Sequence, residues 1–447
     1  MACPPAQASA ATLEEMTAQM WTAPVARAPI DAQVRVPGSK SATNRALVIA
    51  ALASGPSRIS GALDARDTSL MIAGLRALGV AFTCTPGAAP GSLDIECRPS
   101  PLTGPAHIDV GLAGTVMRFL PPLAALATGQ ISFDGDEQAR VRPMSDLLAA
   151  LGTLGAQITP GAHGLPFTVH GAGHLPGGAV RLDASRTSQF VSGLLLAAAR
   201  FDRGVDIVHE GSPVPSAPHI EMTVQMLREH GVAVTVEGVH RWCVEPGPIL
   251  PRERTIEPDL SNAGPFLAAA MATSGRVHIP LWPTRTTQAG DAFRGLLAAM
   301  GAEIALDTRG LTVTMSGPIQ GIDVDLHDVG ELTPTIAALC ALAQSPSRLH
   351  GIGHLRGHET DRLQALAAEL SGLGCMVEEA EDGLSIKPGA LHGGFWRCYA
   401  DHRMATAGAI IGLVVPGVQI DDIGCTTKTI PDFPGRWSSM LDGEVER

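Results

Sequence analysis

The chain repeats itself at a spacing near seventy-five residues, and that period leaves it few ways to fold. An apolar, helix-like stretch ends on Gly79, Gly155, Gly231, Gly301 and Gly374, at separations of 76, 76, 70 and 73 residues. Glycine there reads as the residue that closes a helix and turns the chain into a strand. A second short strand follows each time, beginning near Leu93, Phe167, Trp242, Leu311 and Leu384. The other half of the unit, a helix of small residues and then a strand, recurs six times: 41–60, 113–133, 188–208, 261–279, 332–349 and 402–420. A unit of this size cannot bury its apolar face alone, so copies must share a core. Six units run from about Val34 to the end, and the expected class is α/β.

Length then sets the grouping. At 447 residues the chain exceeds what one core of about 250 to 300 residues supports, so two domains of three repeats each are expected. The prolines at 246, 248, 251 and 258 interrupt helix and ladder alike, placing the boundary between Glu245 and Asp259. We expect one domain over 39–257 and a second over 258–447 that also takes residues 28–38. Residues 1–27 are expected to be a flexible extension, poorly ordered to about Ala23.

The chain is 45% apolar but only 4% aromatic, so its cores should be built of Ala, Leu, Val and Ile. No apolar run reaches the roughly 20 residues of a membrane helix. The first 26 residues hold Glu14 and Glu15 but no Lys or Arg, which is unlike a secretion signal or transit peptide. Eight cysteines are scattered without a C-x-x-C pair, as expected of a chain in a reducing cytoplasm with no zinc site. A net charge of −12 argues against nucleic acid as a partner.

Against that acidic background the cations gather where helices begin. Lys40, Ser41 and Arg45 open the first unit, and Gly114, Thr115 and Arg118 the second. Thr187, Ser188 and Gln189 open the third, and His402 and Arg403 the sixth. Second helices start with Arg142-Pro143, Ser216 to His219, His358 to Arg362 and Lys428. A helix N-terminus already favours anions through its unpaired N–H groups and partial positive charge. Rotation-related repeats would aim equivalent ends at one place, so a cleft that binds a polyanion is expected. Taken singly, each motif is as well explained by an ordinary N-cap.

Taken together, Pro37-Gly38 with Ser39, Lys40, Ser41, Asn44 and Arg45, Gly114-Thr115 with Arg118, Arg142-Pro143, Ser188-Gln189-Phe190, Glu359 with Arg362, Asp401 to Met404 and Lys428 with Pro431-Asp432 resemble the 3-phosphoshikimate 1-carboxyvinyltransferases, or EPSP synthases. The resemblance runs from about Ile30 to Trp437. It implies a two-domain inside-out α/β barrel of six βαβαββ repeats, three per domain. It further implies transfer of the enolpyruvyl group of phosphoenolpyruvate to the 5-hydroxyl of shikimate 3-phosphate through a tetrahedral intermediate, by a monomer needing no metal or organic cofactor.

Carried over residue by residue, the resemblance assigns Lys40, Ser41, Arg45, Thr187, Ser188, Gln189, Ser216, Glu331 and His358 to shikimate 3-phosphate. Lys40, Gly114, Arg142, Gln189, Arg362, Arg403 and Lys428 fall to phosphoenolpyruvate. Glu331 and Glu359, with Lys40, are the implied catalytic groups, because one proton must leave the hydroxyl and another must reach the methylene carbon. The family pattern usually has Asp at Glu331, Lys at His358, Asn at His354, Tyr at His219 and Ser at Thr187. His358 exchanges a permanent cation for a titrating one; it is expected to titrate near the ordinary value of about 6.5 in the free protein and to charge beside the phosphate. Gly114 is expected to leave room beside the phosphate of phosphoenolpyruvate. Two rivals remain: transfer to UDP-N-acetylglucosamine, for which the stretch 133–142 lacks the usual Cys but holds Asp134 and Asp136, and a non-catalytic phosphometabolite-binding protein.

Overall fold

The structure, a computed structural model, describes residues 20–159 and 164–443. Its layers follow from which helices are apolar all round. In the helices Gln189–Ala198, Gly264–Ala272 and Thr333–Ala341, nearly every residue is buried, from Phe190 to Ala198, Gly264 to Met271 and Thr333 to Ala341. A helix with no polar face must lie inside. Together with Lys40–Leu52, Gly114–Leu126 and His402–Gly412 these form the central layer. The second helix of each unit buries one face only, as Pro218–Glu229 does through Ile220, Val224 and Leu227.

Around the helices lie six small sheets. Strands such as Glu303–Asp307 and Arg241–Val244 alternate between covered and more exposed positions, as a sheet with one face to solvent requires. Five sheets share one plan: a parallel pair, joined through a central helix in three of them, then two antiparallel strands. In one, Gly178–Leu182 runs parallel to Val205–His209, which pairs antiparallel with Arg241–Val244, and that strand with Val234–Glu237. All five repeat glycines have positive φ, from +79° at Gly231 to +107° at Gly155, the left-handed conformation expected of helix-closing residues.

Two hydrophobic cores result, one spanning Ala46 to Ile256 and the other joining Ala23 to Val34 with Leu260 to Met440. The chain crosses between them twice. Asp31–Gln33 pairs with Arg276–His278 in the second core's sheet, whereas Glu253–Thr255 returns to pair with Arg58–Ser60 in the first. The proline-rich stretch is therefore not free of ladder. At the crossing, Ser39 N donates to Glu257 O at 2.8 Å and Asp259 N to Pro37 O at 2.8 Å. Gly38 is obligatory here, because a Cβ would lie 2.1 Å from Gly61 O.

The expectation of a flexible stretch over 1–27 needs correction. Residues 1–19 lie outside the described residues, but Trp21–Thr22 forms a strand antiparallel to Gln419–Ile420, and Ala23 N donates to Val418 O at 3.0 Å. The sixth unit ends in the helix Phe433–Leu441 without a following hairpin among the described residues. Trp21–Thr22 supplies the antiparallel strand that this unit lacks.

Candidate active site

The six central helices begin around one place. Lys40, Gly114 and Gln189 start helices of the first core, and with Glu331, just before Thr333–Ala341, and His402 of the second they line a partly open cleft. Ser261, just before Gly264–Ala272, lines an adjoining cavity with Lys40, His219 and Glu331. Six Lys and Arg side chains, Lys40, Arg118, Arg142, Arg186, Arg362 and Arg403, face three carboxylates, Asp67, Glu331 and Glu359. In a chain of net charge −12 this is a local excess of positive charge, reinforced by the helix ends. It suits a small polyanion.

Two carboxylates are set deep among the cations. Glu359 accepts from Lys428 Nζ at 2.8 Å and from Arg362 Nη2 at 3.1 Å. Burial by itself pushes a carboxyl up; Lys428, Arg362 and Arg142 override it and hold Glu359 well below the usual range. Glu331 Oε1 accepts from Ser261 Oγ at 2.7 Å, and Oε2 lies 2.7 Å from His219 Nε2. Burial again opposes ionisation, and His219, Arg403 and Ser261 again prevail, keeping Glu331 ionised.

The cations are held from behind. Asp401, fully buried, accepts Nε and Nη2 of Arg362 at 2.7 and 3.1 Å and caps its own helix through Arg403 N at 2.9 Å. Leu112 O receives both Arg142 Nη1 at 3.2 Å and Lys428 Nζ at 3.3 Å, tying a loop of the first core to the second. Lys40 Nζ lies 3.5 Å from Asp67. Thr187 Oγ1 accepts from Gln189 N at 3.3 Å, and Gln189 Oε1 from Arg118 Nη1 at 2.7 Å.

Most of the residues singled out in the sequence meet here: Lys40, Ser41, Gly114, Arg142, Thr187, Ser188, Gln189, Ser216, Glu331, His358, Glu359, Arg362 and Arg403 line the cleft, and Lys428 reaches it through Glu359. Arg45 does not line it. It is 1% exposed and donates to Thr223 Oγ1, Ser41 O, Ser192 Oγ and His219 O. Among the described residues no carboxylate pairs with it, and burial, only partly offset by Glu331, lowers its pKa to about 9.

His358 departs from expectation. Burial and the Arg362 guanidinium depress its pKa well below the ordinary histidine value. Arg362 Nη1 lies 3.3 Å from His358 Nδ1, and since guanidinium only donates, that nitrogen accepts and the ring is neutral. Gly114 also differs from the reading of spare room, because a Cβ would lie 2.9 Å from Arg118 Nη1 and 3.0 Å from Arg142 Nη2. Arg118, His219, His354 and His402 line the cleft without having been given roles. For Arg118 a signal existed, since it lies four residues after Gly114 on the same helix face. For the histidines the signal lay in position: His402 stands at a helix start, and His219 and His354 stand where the family pattern has Tyr and Asn.

A family model described as EPSP synthase (3-phosphoshikimate 1-carboxyvinyltransferase) matches residues 25–437. The chain belongs to the EPSP synthase family. A family relative from Kocuria rhizophila, named 3-phosphoshikimate 1-carboxyvinyltransferase, is 54% identical over 432 residues, 95% of this chain and 97% of its own. Among solved structures, an EPSP synthase from Acinetobacter baumannii superposes with a TM-score of 0.78 at 24% identity, covering 96% of this chain and 99% of that one. The enolpyruvyl transferase NikO from Streptomyces tendae gives 0.72 at 18% identity, covering 93% and 96%. At those identities the structures speak for the shared two-domain, inside-out α/β fold, and the relative from Kocuria rhizophila speaks for the family.

Proposed function

We propose that the chain transfers the enolpyruvyl group of phosphoenolpyruvate to the 5-hydroxyl of shikimate 3-phosphate in the shikimate pathway to aromatic amino acids. The hydroxyl oxygen adds to the central carbon of phosphoenolpyruvate while the methylene carbon gains a proton. The resulting tetrahedral intermediate then loses a methyl proton and phosphate. The observation that carries this reading is the presence of two separately held carboxylates, Glu331 and Glu359, within one cation-lined cleft.

In this reading Lys40, Arg142, Arg362, Arg403 and Lys428, with the N-terminus at Gly114, hold phosphoenolpyruvate and stabilise the charge that develops on addition. Thr187, Ser188 and Ser216 hold the phosphate of shikimate 3-phosphate, with Lys40 and Ser41 beside it, His358 as an uncharged wall and Gln189 between the substrates. Arg45 acts from behind, fixing Ser41 and the backbone of His219. Glu331 takes the hydroxyl proton. Glu359 gives a proton to the methylene carbon and recovers one on elimination, so it must be protonated when both substrates are bound. Phosphoenolpyruvate itself brings this about: as its charges engage Lys428, Arg362 and Arg142, those cations no longer oppose protonation of Glu359.

The reading includes no metal or organic cofactor; the substrate charge is offset by Lys and Arg. It treats 39–257 and 28–38 with 258–447 as two bodies that close on the substrates, in a monomer of the cytoplasm. No helix among the described residues is long and apolar enough to cross a membrane. Transfer to UDP-N-acetylglucosamine gains no support, because Asp134 is paired with Arg140 and Asp136 with Arg66. The deciding experiment is phosphate release from phosphoenolpyruvate with each acceptor: release with shikimate 3-phosphate alone is expected, and release only with the nucleotide sugar would overturn the proposal.

A further inference from the structure

His219 has no role in the reading above, yet it is the group that approaches Glu331 most closely from the other core. It lies in the first turn of Pro218–Glu229, and Glu331 lies just before Thr333–Ala341. Their side chains are each 14% exposed and meet at 2.7 Å. The backbone of His219 is fixed from three sides, its carbonyl accepting from Arg45 Nη2 at 3.0 Å, Thr223 Oγ1 at 3.0 Å and Ser192 Oγ at 3.4 Å. Three residues earlier, Ser216 N donates to His327 O of the second core at 3.1 Å while Ser216 sits at a φ of +56°. A left-handed serine persists only where its surroundings hold it. The turn 216–219 is thus clamped so that the imidazole meets the carboxylate.

We propose that His219 is the positioning residue for Glu331, donating its Nε2–H to fix the carboxylate in the ionised form and orientation that receive the hydroxyl proton. Nε2 is the donor because the other carboxylate oxygen already accepts from Ser261 and an ionised carboxylate has no proton to give. This assigns the tautomer: Nδ1, buried and without a partner among the described residues, carries the lone pair when the ring is neutral. The proton balance of the reaction is unchanged. The hydroxyl O–H breaks as the C–O bond forms, its proton goes to Glu331, and it leaves with the released phosphate. Because the two residues come from different cores, the pair exists only when the halves are together, and the base is completed by closure. Other charged groups facing it are Lys40 and Arg45 from one side, Asp259 at the crossing, and Arg403 and His354 from the second core.

The inference rests on the proposed transfer, and its test separates the two. The parent, His219→Gln and His219→Phe are compared by phosphate release over pH, with shikimate 3-phosphate binding as a check on the fold. Glutamine keeps a donor near the Nε2 position, and phenylalanine removes it. A hydrogen bond to a charged group supports about a tenfold or larger loss of kcat for Phe, with a smaller change in KM. The acidic limb should also move to higher pH, because Glu331 then protonates more readily. Gln should restore both. If Phe does not fold, His219→Asn, whose shorter amide falls short of Glu331, supplies the contrast. Matching pH profiles and kcat values within twofold for donor and non-donor variants would overturn the role of His219. A parent that releases no phosphate would overturn the transfer itself.

Discussion

At the scale of single residues, the site is built from charges that would be unstable apart. Glu359 is buried, and removing water from a carboxylate is costly unless cations replace it; Lys428 and Arg362 do so at 2.8 and 3.1 Å. The carboxyl is thereby held ionised in the free protein, the opposite of what a proton donor needs. Binding of phosphoenolpyruvate should therefore take up a proton near neutral pH. Calorimetry in buffers of different ionisation enthalpy measures this, and Glu359→Gln should abolish the uptake; binding without proton exchange in the parent would show that Glu359 is not the donor. His358 illustrates why charge state was illegible in the sequence. Its replacement of the usual cation was visible, but its neutrality depends on its burial and then on Arg362 lying 3.3 Å from Nδ1.

At the scale of elements, the helix-to-strand glycines and the small-residue helices carry the architecture, and both were plain in the sequence because their causes are local. A residue closing a helix in the left-handed region is nearly always Gly, and a helix of Ala, Leu and Ile without a polar face has nowhere to go but inside. Two glycines six residues apart make the point testable. Gly301 has φ of +106°, whereas Gly295 is an exposed position within Phe293–Ala299 where a Cβ meets nothing within 4 Å among the described residues. Gly301→Ala should cost about 1–2 kcal/mol, and Gly295→Ala should stabilise by about 0.5–1 kcal/mol. Denaturant unfolding of both variants checks the signs; equal shifts would refute the conformational reading.

At the scale of the whole molecule, the two cores are held together at the cleft by a few polar contacts: His219 to Glu331, Ser216 N to His327 O and Lys428 Nζ to Leu112 O. The cations they gather repel one another until an anion arrives. Shikimate 3-phosphate should accordingly lower the radius of gyration in small-angle scattering, and an unchanged radius at saturation would exclude closure.

The buried histidines set a second property of the whole. His354, His358 and His402 all have depressed pKa values, caused first by burial and then by neighbouring cationic or histidine side chains, with His354 near 4. They fold neutral and gain protons on unfolding below about 6.5, so stability is full above that value and falls as pH drops toward their folded values. Tm should decline between pH 7 and 5, before Glu331 and Glu359 contribute. A flat Tm over that range would mean these rings are not buried neutral.

The sequence by itself determined the repeat, the closing glycines, the apolar helices and the gathering of Lys and Arg at helix starts, because each follows from a periodicity or a local conformational preference. Only the tertiary structure decided that Trp21–Thr22 completes the last unit, that Glu253–Thr255 returns to the first sheet, that Arg45 is spent on the scaffold and that His219 meets Glu331. Each of these is a contact between residues more than a hundred positions apart in the chain, save for the Arg45 bond to Ser41. Hydrogen-bond partners, burial and protonation depend on which side chains folding brings within a few ångströms, and no pattern along the chain encodes that distance.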